Sequence, residues 1–125
     1  MTPPPPRPLA LTTTDPAPGT VCVSLGGDLD HESAAELLDA CARAVGDRPG
    51  VRELRLDCAG LGLCDSMGLS ALLMVHRCTA AAGAALHLDH RTAALDRLLD
   101  LTGTRRHLTG DPLHGAGSGA GRADP

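Results

Sequence analysis

The chain has 125 residues, enough for one compact domain with its own core, and its formal net charge is −4. All eleven basic residues are Arg, and Phe, Tyr and Trp are absent. An acidic balance with no basic block and no stacking aromatic argues against nucleic acid as a partner. No apolar run approaches the length of a membrane span and no signal-peptide pattern is present, so we expect a soluble, cytoplasmic protein that does not bind a membrane.

The two ends of the chain differ in composition from its middle. Residues 1–8 read MTPPPPRP, and Pro cannot donate a backbone hydrogen bond. Residues 109–125 are rich in Gly and Ala, which is typical of flexible segments. We therefore expect a disordered start over residues 1–8, a folded domain over residues 9–108 and a flexible tail over residues 109–125.

The first half of the chain predicts two strands and a helix. Residues 9–14 fit a short edge strand, and Pro and Gly follow them in a turn-forming segment. Residues 21–25 alternate between large apolar and smaller side chains, as a strand with one buried face does. Asp30 is placed to cap a helix over residues 31–45, in which apolar residues recur at helical spacing.

The second half alternates strands and helices. The predicted elements are a strand over residues 52–58, a link over 59–64, a helix over 66–82, a strand over 85–90, a helix over 92–102 and a last strand over 105–108. Strands joined through helices run parallel, whereas the first two strands can form a hairpin. The order β-β-α-β-α-β-α-(β) therefore predicts a small α/β domain in which helices pack on a mixed sheet.

The segment LCDSMGLS, at residues 63–70, raises the main functional question. Ser66 precedes a helix whose first turn offers unpaired N–H groups and the positive end of the helix dipole, which favour a phosphate ester there. The other interpretation is structural, because Asp and Ser are common N-cap residues. Gly68 lowers helix propensity, and we expect it to allow the close approach of another chain or a bulky group.

Three motifs carry a resemblance to a known family. GGDLD at 26–30, LRLDC at 54–58 and CDSMGLSALL at 64–73 resemble the STAS domain, and residues 9–108 look like a bacterial anti-sigma factor antagonist of that family. The resemblance implies that Ser66 is phosphorylated by a partner that is both an anti-sigma factor and an ATP-dependent serine kinase. It also implies that the unphosphorylated protein binds this partner and frees a sigma factor, and that a serine phosphatase resets the switch.

The same resemblance suggests which residues meet the partner. They are Asp30, Asp57, Asp65, Met67, Gly68 and Leu69. We expect Asp30 and Asp57 to lie at the Ser66 end of the sheet and to surround it with negative charge. The family often has Glu in place of Asp28. It also often has a second Ser or Thr in place of Met67, so the phosphate acceptor in this chain is less ambiguous. Ser70 is the second choice of acceptor.

Two other functions remain open at this point: a STAS scaffold or sensory module without phosphorylation, and a small cysteine- or metal-dependent enzyme. The five cysteines include no CxxC pair and predict reduced core residues. Cys64 has the anion of Asp65 beside it, which disfavours a reactive thiolate. His87 and His90 lack a recognised ligand spacing, so we expect no metal, no cofactor and no enzymatic activity.

Overall fold

The computed structural model describes residues 7–109, in which four strands form one mixed sheet. The elements are β1 (Ala10–Ala17), β2 (Thr20–Leu29), α1 (Ala34–Gly46), β3 (Glu53–Cys64), α2 (Ser66–Ala81), β4 (Ala85–Asp89), α3 (Ala93–Thr102) and α4 (Arg105–Thr109). The sheet order is β1-β2-β3-β4. β1 is antiparallel to β2, and the other two pairs are parallel. The predicted α/β class and its mixed sheet are confirmed.

One face of the sheet is buried beneath helices. Its buried side chains are Val21, Val23, Leu25, Leu54, Leu56, Cys58 and Leu88. The register aligns Val21 with Leu54, so the alternation on each strand builds one continuous apolar surface. α1 and α2 add further buried side chains to this core, such as Leu37 and Leu72. Because the chain has no Phe, Tyr or Trp, the core consists of aliphatic side chains and Cys. Full burial of each Leu or Val side chain stabilises the folded state by roughly 1.5–3 kcal/mol.

Residues 59–64, predicted as a link, continue β3 instead. β2 pairs with this extension as far as Leu29 and Cys64, and two register shifts absorb the additional β3 residues. A Cβ on Gly60 would lie 2.8 Å from the carbonyl oxygen of Leu25, so glycine is needed where the strands approach. β4 pairs with β3 only as far as Asp57, so β3 extends well beyond it.

The prediction of a last strand over residues 105–108 is wrong, because these residues lie in α4. Gly103 ends α3 in the left-handed region with φ 72°, and the N–H of Leu108 then donates to the carbonyl of Thr104 at 3.0 Å. In a strand, Arg106 would share a face with Leu108. The helical turn buries Leu108 and leaves Arg106 exposed.

The folded part begins slightly earlier than predicted. Arg7 and Pro8, which we expected in the disordered start, lie against β2, and the N–H of Asp28 donates to the carbonyl of Arg7 at 3.0 Å. The predictions for residues 1–6 and 110–125 fall outside the described residues. Between residues 7 and 109, no helix is both long and apolar enough to cross a membrane.

The core assignment predicts a sharp contrast between two leucines. Leu56 is fully buried, whereas Leu101 is 78% exposed. We expect Leu56→Ala to lower the free energy of unfolding by about 2–5 kcal/mol, and Leu101→Ala to change it by less than about 0.5 kcal/mol. Urea denaturation followed by far-ultraviolet circular dichroism measures both values. Equal losses would contradict the assignment of Leu56 to the core.

Candidate functional site

The candidate site lies where β2 and β3 end side by side. Leu29 pairs with Cys64 in the sheet, and the N–H of Asp65 donates to the carbonyl of Leu29 at 3.2 Å. α2 begins at the next residue, Ser66. Because parallel strands end at the same edge of a sheet, the loop after β2 and the first turn of α2 are neighbours.

Asp65, rather than Ser66, caps α2. Its backbone is extended, with φ −98° and ψ −173°, and its carboxylate accepts the N–H of Gly68 at 2.9 Å. A cap of this kind stabilises a helix by about 1 kcal/mol. Ser66 is the first helical residue and is exposed. Among residues 7–109 its hydroxyl has no hydrogen-bond partner. The interpretation of Ser66 as a plain helix cap is therefore wrong.

Two exposed apolar side chains lie close to Ser66 in the chain. Leu63, at the end of β3, is 62% exposed, and Met67 is 51% exposed. Ser70, the second candidate acceptor, is also exposed, but its hydroxyl donates to the carbonyl of Ser66 at 3.0 Å. Ser66 therefore has a free hydroxyl and two large exposed apolar side chains close to it in the chain.

Gly68 has a packing role within the chain, which corrects our expectation that it makes room for another molecule. A Cβ at this position would collide with the carbonyl oxygen of Leu29 and lie 2.9 Å from its Cγ. Gly68 and Leu69 are both buried. The first turn of α2 therefore rests directly on the end of β2, and these two residues support the exposed surface from beneath.

Asp30 caps the turn in the loop beside Ser66, whereas α1 itself begins only at Ala34, later than a cap at position 30 predicts. Its Oδ1 atom accepts the N–H of Glu32 at 3.0 Å and the N–H of Ser33 at 3.2 Å. Ser33 is the N-cap residue of α1 and makes no side-chain cap bond. Its hydroxyl donates to the carbonyl of Asp28 at 3.0 Å, which holds the loop closed. Asp30 follows Leu29 directly, so it lies at the same edge of the sheet as Ser66.

Asp57 lies away from this edge, contrary to the prediction that it joins the acidic surround. It pairs with Ser24 and Asp89 in the middle of the sheet. The extension of β3 separates it from Cys64 by roughly 20 Å along the strand. The N–H of Ala59 and the ring of His90 hold the pKa of Asp57 below its usual value. The error follows from reading residues 59–64 as a short link.

The cysteines near the sheet are poorly suited to nucleophilic chemistry. Burial, with a smaller effect from Asp65, raises the pKa of Cys64 to about 11. Burial also raises the pKa of Cys41 and of Cys58 to about 12. Because the thiolate is the reactive form, all three remain protonated near neutral pH. Across residues 7–109, no group of three or more His, Cys, Asp or Glu side chains is arranged to hold a metal ion.

Sequence reasoning missed Asp28 as a member of this site. Its carboxylate accepts the N–H of Leu63 at 2.9 Å and the N–H of Arg7 at 3.0 Å. Both backbone N–H groups hold the pKa of the Asp28 carboxylate below its usual value, and that of Arg7 has the larger effect. Asp28 itself is visible in the GGDLD motif. Its two hydrogen-bond partners are not, because they depend on the extension of β3 and on where Arg7 lies in the fold.

Comparisons with known proteins give a consistent result. A family model described as "Mlab, STAS domain" matches residues 12–110, whereas no curated protein matches the chain. An anti-sigma factor antagonist from Mycobacterium paratuberculosis has a similar structure, with 24% identity, a TM-score of 0.65, and coverage of 81% of this chain and 83% of that one.

Two further solved structures are similar at lower identity. The anti-sigma factor antagonist SpoIIAA in its unphosphorylated form is 20% identical, with a TM-score of 0.64 and coverage of 75% of this chain and 81% of that one. A sulfate transporter family protein from Wolinella succinogenes is 17% identical, with a TM-score of 0.64 and coverage of 74% and 73%. At these identities the likeness establishes the fold.

Two glycines at the ends of helices test the contact between α2 and β2. We expect Gly68→Ala to lower the free energy of unfolding by about 1–3 kcal/mol, because the new methyl group collides with Leu29. Gly46→Ala is the matched control, since a Cβ there has no neighbour within 4 Å. This control should be neutral or stabilising by up to about 1 kcal/mol. If urea denaturation shows that both variants behave alike, α2 does not rest on β2 as described.

Proposed function

Because the chain belongs to the STAS domain family, we propose that it is an anti-sigma factor antagonist, a non-enzymatic switch controlled by phosphorylation of Ser66. Its partner is an anti-sigma factor with ATP-dependent serine kinase activity in the bacterial cytoplasm. The observation that carries the proposal is the exposed Ser66 hydroxyl, which Asp65 releases from any capping role. SpoIIAA, which has the same fold, is also known in a phosphorylated form.

In the unphosphorylated state, the surface around Ser66 binds the kinase. Met67 and Leu63 provide exposed apolar area, and the Asp30 loop forms the neighbouring wall. Gly68 and Leu69 contribute by holding the first turn of α2 against β2. Binding at this surface occupies the anti-sigma factor and so frees its sigma factor.

Phosphorylation transfers the γ-phosphoryl group of ATP to Ser66. The Ser66 oxygen attacks the γ-phosphorus, the bond to the bridging oxygen breaks, ADP leaves, and the hydroxyl proton passes to a base of the kinase. A serine phosphatase later hydrolyses the ester, releasing inorganic phosphate and restoring the hydroxyl. The chain itself supplies only the acceptor, so it needs no cofactor.

The phosphate changes binding through local charge. It adds about −1.5 to −2 charge near neutral pH. N–H groups at the start of a helix can donate hydrogen bonds to a phosphate, but that of Gly68 already donates to Asp65. The phosphate adds its charge directly after Asp65 in the chain, at the end of the sheet where Asp30 also lies, so this surface becomes more negative. We expect the partner to dissociate without a large rearrangement of the domain.

Variants of Ser66 test this proposal in a pull-down from the host lysate. The Ser66→Ala bait should retrieve an ATPase-fold kinase, and the Ser66→Asp bait should retrieve little of it, with the affinity reduced at least roughly tenfold. Mass spectrometry identifies the retained proteins.

Ser70→Ala and Ser70→Asp are the matched controls, since Ser70 lies one turn further on the same helix and is also exposed. Both should retrieve the kinase. If the Ser66→Ala and Ser66→Asp baits retrieve the same proteins, the domain is a scaffold or sensory module and the phosphorylation switch is rejected. Bound metal or thiol-dependent turnover would instead support the enzyme alternative.

A further inference from the structure

The first described residues form a strap across the end of β2. We use this name for residues 7–9. The N–H of Asp28 donates to the carbonyl of Arg7 at 3.0 Å, and the N–H of Arg7 donates to Oδ2 of Asp28 at 3.0 Å. The side chain of Leu9 is buried in the core. The strap is thus fixed at both of its ends, by a reciprocal pair of hydrogen bonds and by apolar packing.

Two glycines allow the strap to lie this close. Gly27 has φ +91°, and a Cβ there would collide with the carbonyl oxygen of Pro8. On β3, a Cβ at Gly62 would collide with Nη2 of Arg7 and lie 2.6 Å from Oδ1 of Asp28. Glycine is therefore required at position 27, where the obstacle is backbone, whereas at position 62 a Cβ would displace the ends of two side chains.

The Asp28 carboxylate links three segments of the chain. Oδ2 accepts the N–H of Arg7 at 3.0 Å, and Oδ1 accepts the N–H of Leu63 at 2.9 Å. The Nε atom of Arg7 lies 3.8 Å from Oδ1. Only 12% of the Asp28 side chain is exposed, so this ionised group is held almost entirely by protein contacts. Hydrogen bonds to a charged acceptor are stronger than neutral ones.

The position of Leu63 gives this link a functional consequence. Leu63 is the last residue but one of β3 and is followed by Cys64, Asp65 and Ser66. The end of β3 is also held to β2 by the pairing of Gly27 with Leu61 and of Leu29 with Cys64, and the N–H of Asp65 donates to the carbonyl of Leu29. Asp28 therefore adds a charged side-chain anchor on the strand side of Ser66, whereas Asp65 provides one on the helix side.

We propose that Asp28 is a positioning residue for phosphorylation: through Leu63 and the strap it fixes the end of β3, so that the Ser66 hydroxyl is presented in line with the phosphoryl donor. This inference rests on the proposed function. Asp28 does not touch the reacting atoms, and the strap makes the presentation of Ser66 depend on residues 7–9. Small displacements of a reacting group reduce rates strongly, which is why a contact outside the reaction centre affects the rate.

The test uses the full chain, ATP and host-cell extract as the source of kinase, with quantitative mass spectrometry of the Ser66 phosphopeptide. Rates are measured over a range of chain concentrations. For Asp28→Asn we expect the maximal rate to fall roughly tenfold, with less than a threefold change in the half-saturating concentration, because Ser66 and Met67 remain exposed. Asp28→Glu keeps the charge and should recover most of the rate. Asp39→Asn is the control, because it alters an exposed carboxylate on α1, and it should leave the maximal rate unchanged.

A second variant keeps the test decisive if Asp28→Asn does not fold. Gly62→Ala displaces the Asp28 carboxylate without removing a charge and should lower the maximal rate in the same direction. If wild type is phosphorylated and both variants reach its maximal rate, the inference is overturned and the proposed function stands. If wild type is not phosphorylated at Ser66, the proposed function fails and the inference falls with it.

Discussion

The carbonyl group of Leu29 is the contact on which the candidate site depends. It accepts the N–H of Asp65 and lies directly against Gly68, so the end of β2, the end of β3 and the start of α2 meet at one point. Without a Cβ at position 68, the helix can approach the strand closely enough for this to occur. The Asp65 cap, the exposure of Ser66 and the burial of Leu69 all follow from this approach.

This arrangement separates the rigid part of the site from its chemically variable part. The buried residues and the capped helix turn fix the backbone, whereas the Ser66 hydroxyl takes no part in holding the fold. A group added there therefore breaks no internal hydrogen bond. A regulatory modification is best tolerated at such a position, because the folded state keeps its stability while the surface charge changes.

Much of the architecture could be predicted because the chain's apolar pattern is regular. The alternation in residues 21–25 and 52–58, and the helical spacing after residue 66, correspond to elements of the structure. The β3 extension could not be predicted, since Gly is rare in strands and the neighbours of Gly60 and Gly62, which are β2 and the side chain of Arg7, are known only from the fold. The location of Asp57 was wrong for the same reason.

The choice between Asp65 and Ser66 as the cap also could not be made from the sequence. Both residue types cap helices, and only the backbone angles and the bond to Gly68 distinguish them.

The unequal lengths of β3 and β4 have a consequence for association. Along residues 58–64 the backbone edge facing away from β2 is not paired with β4, and such an edge can template aggregation. Its two register shifts and its glycines make it irregular and weakly β-forming, which disfavours edge-to-edge pairing between molecules.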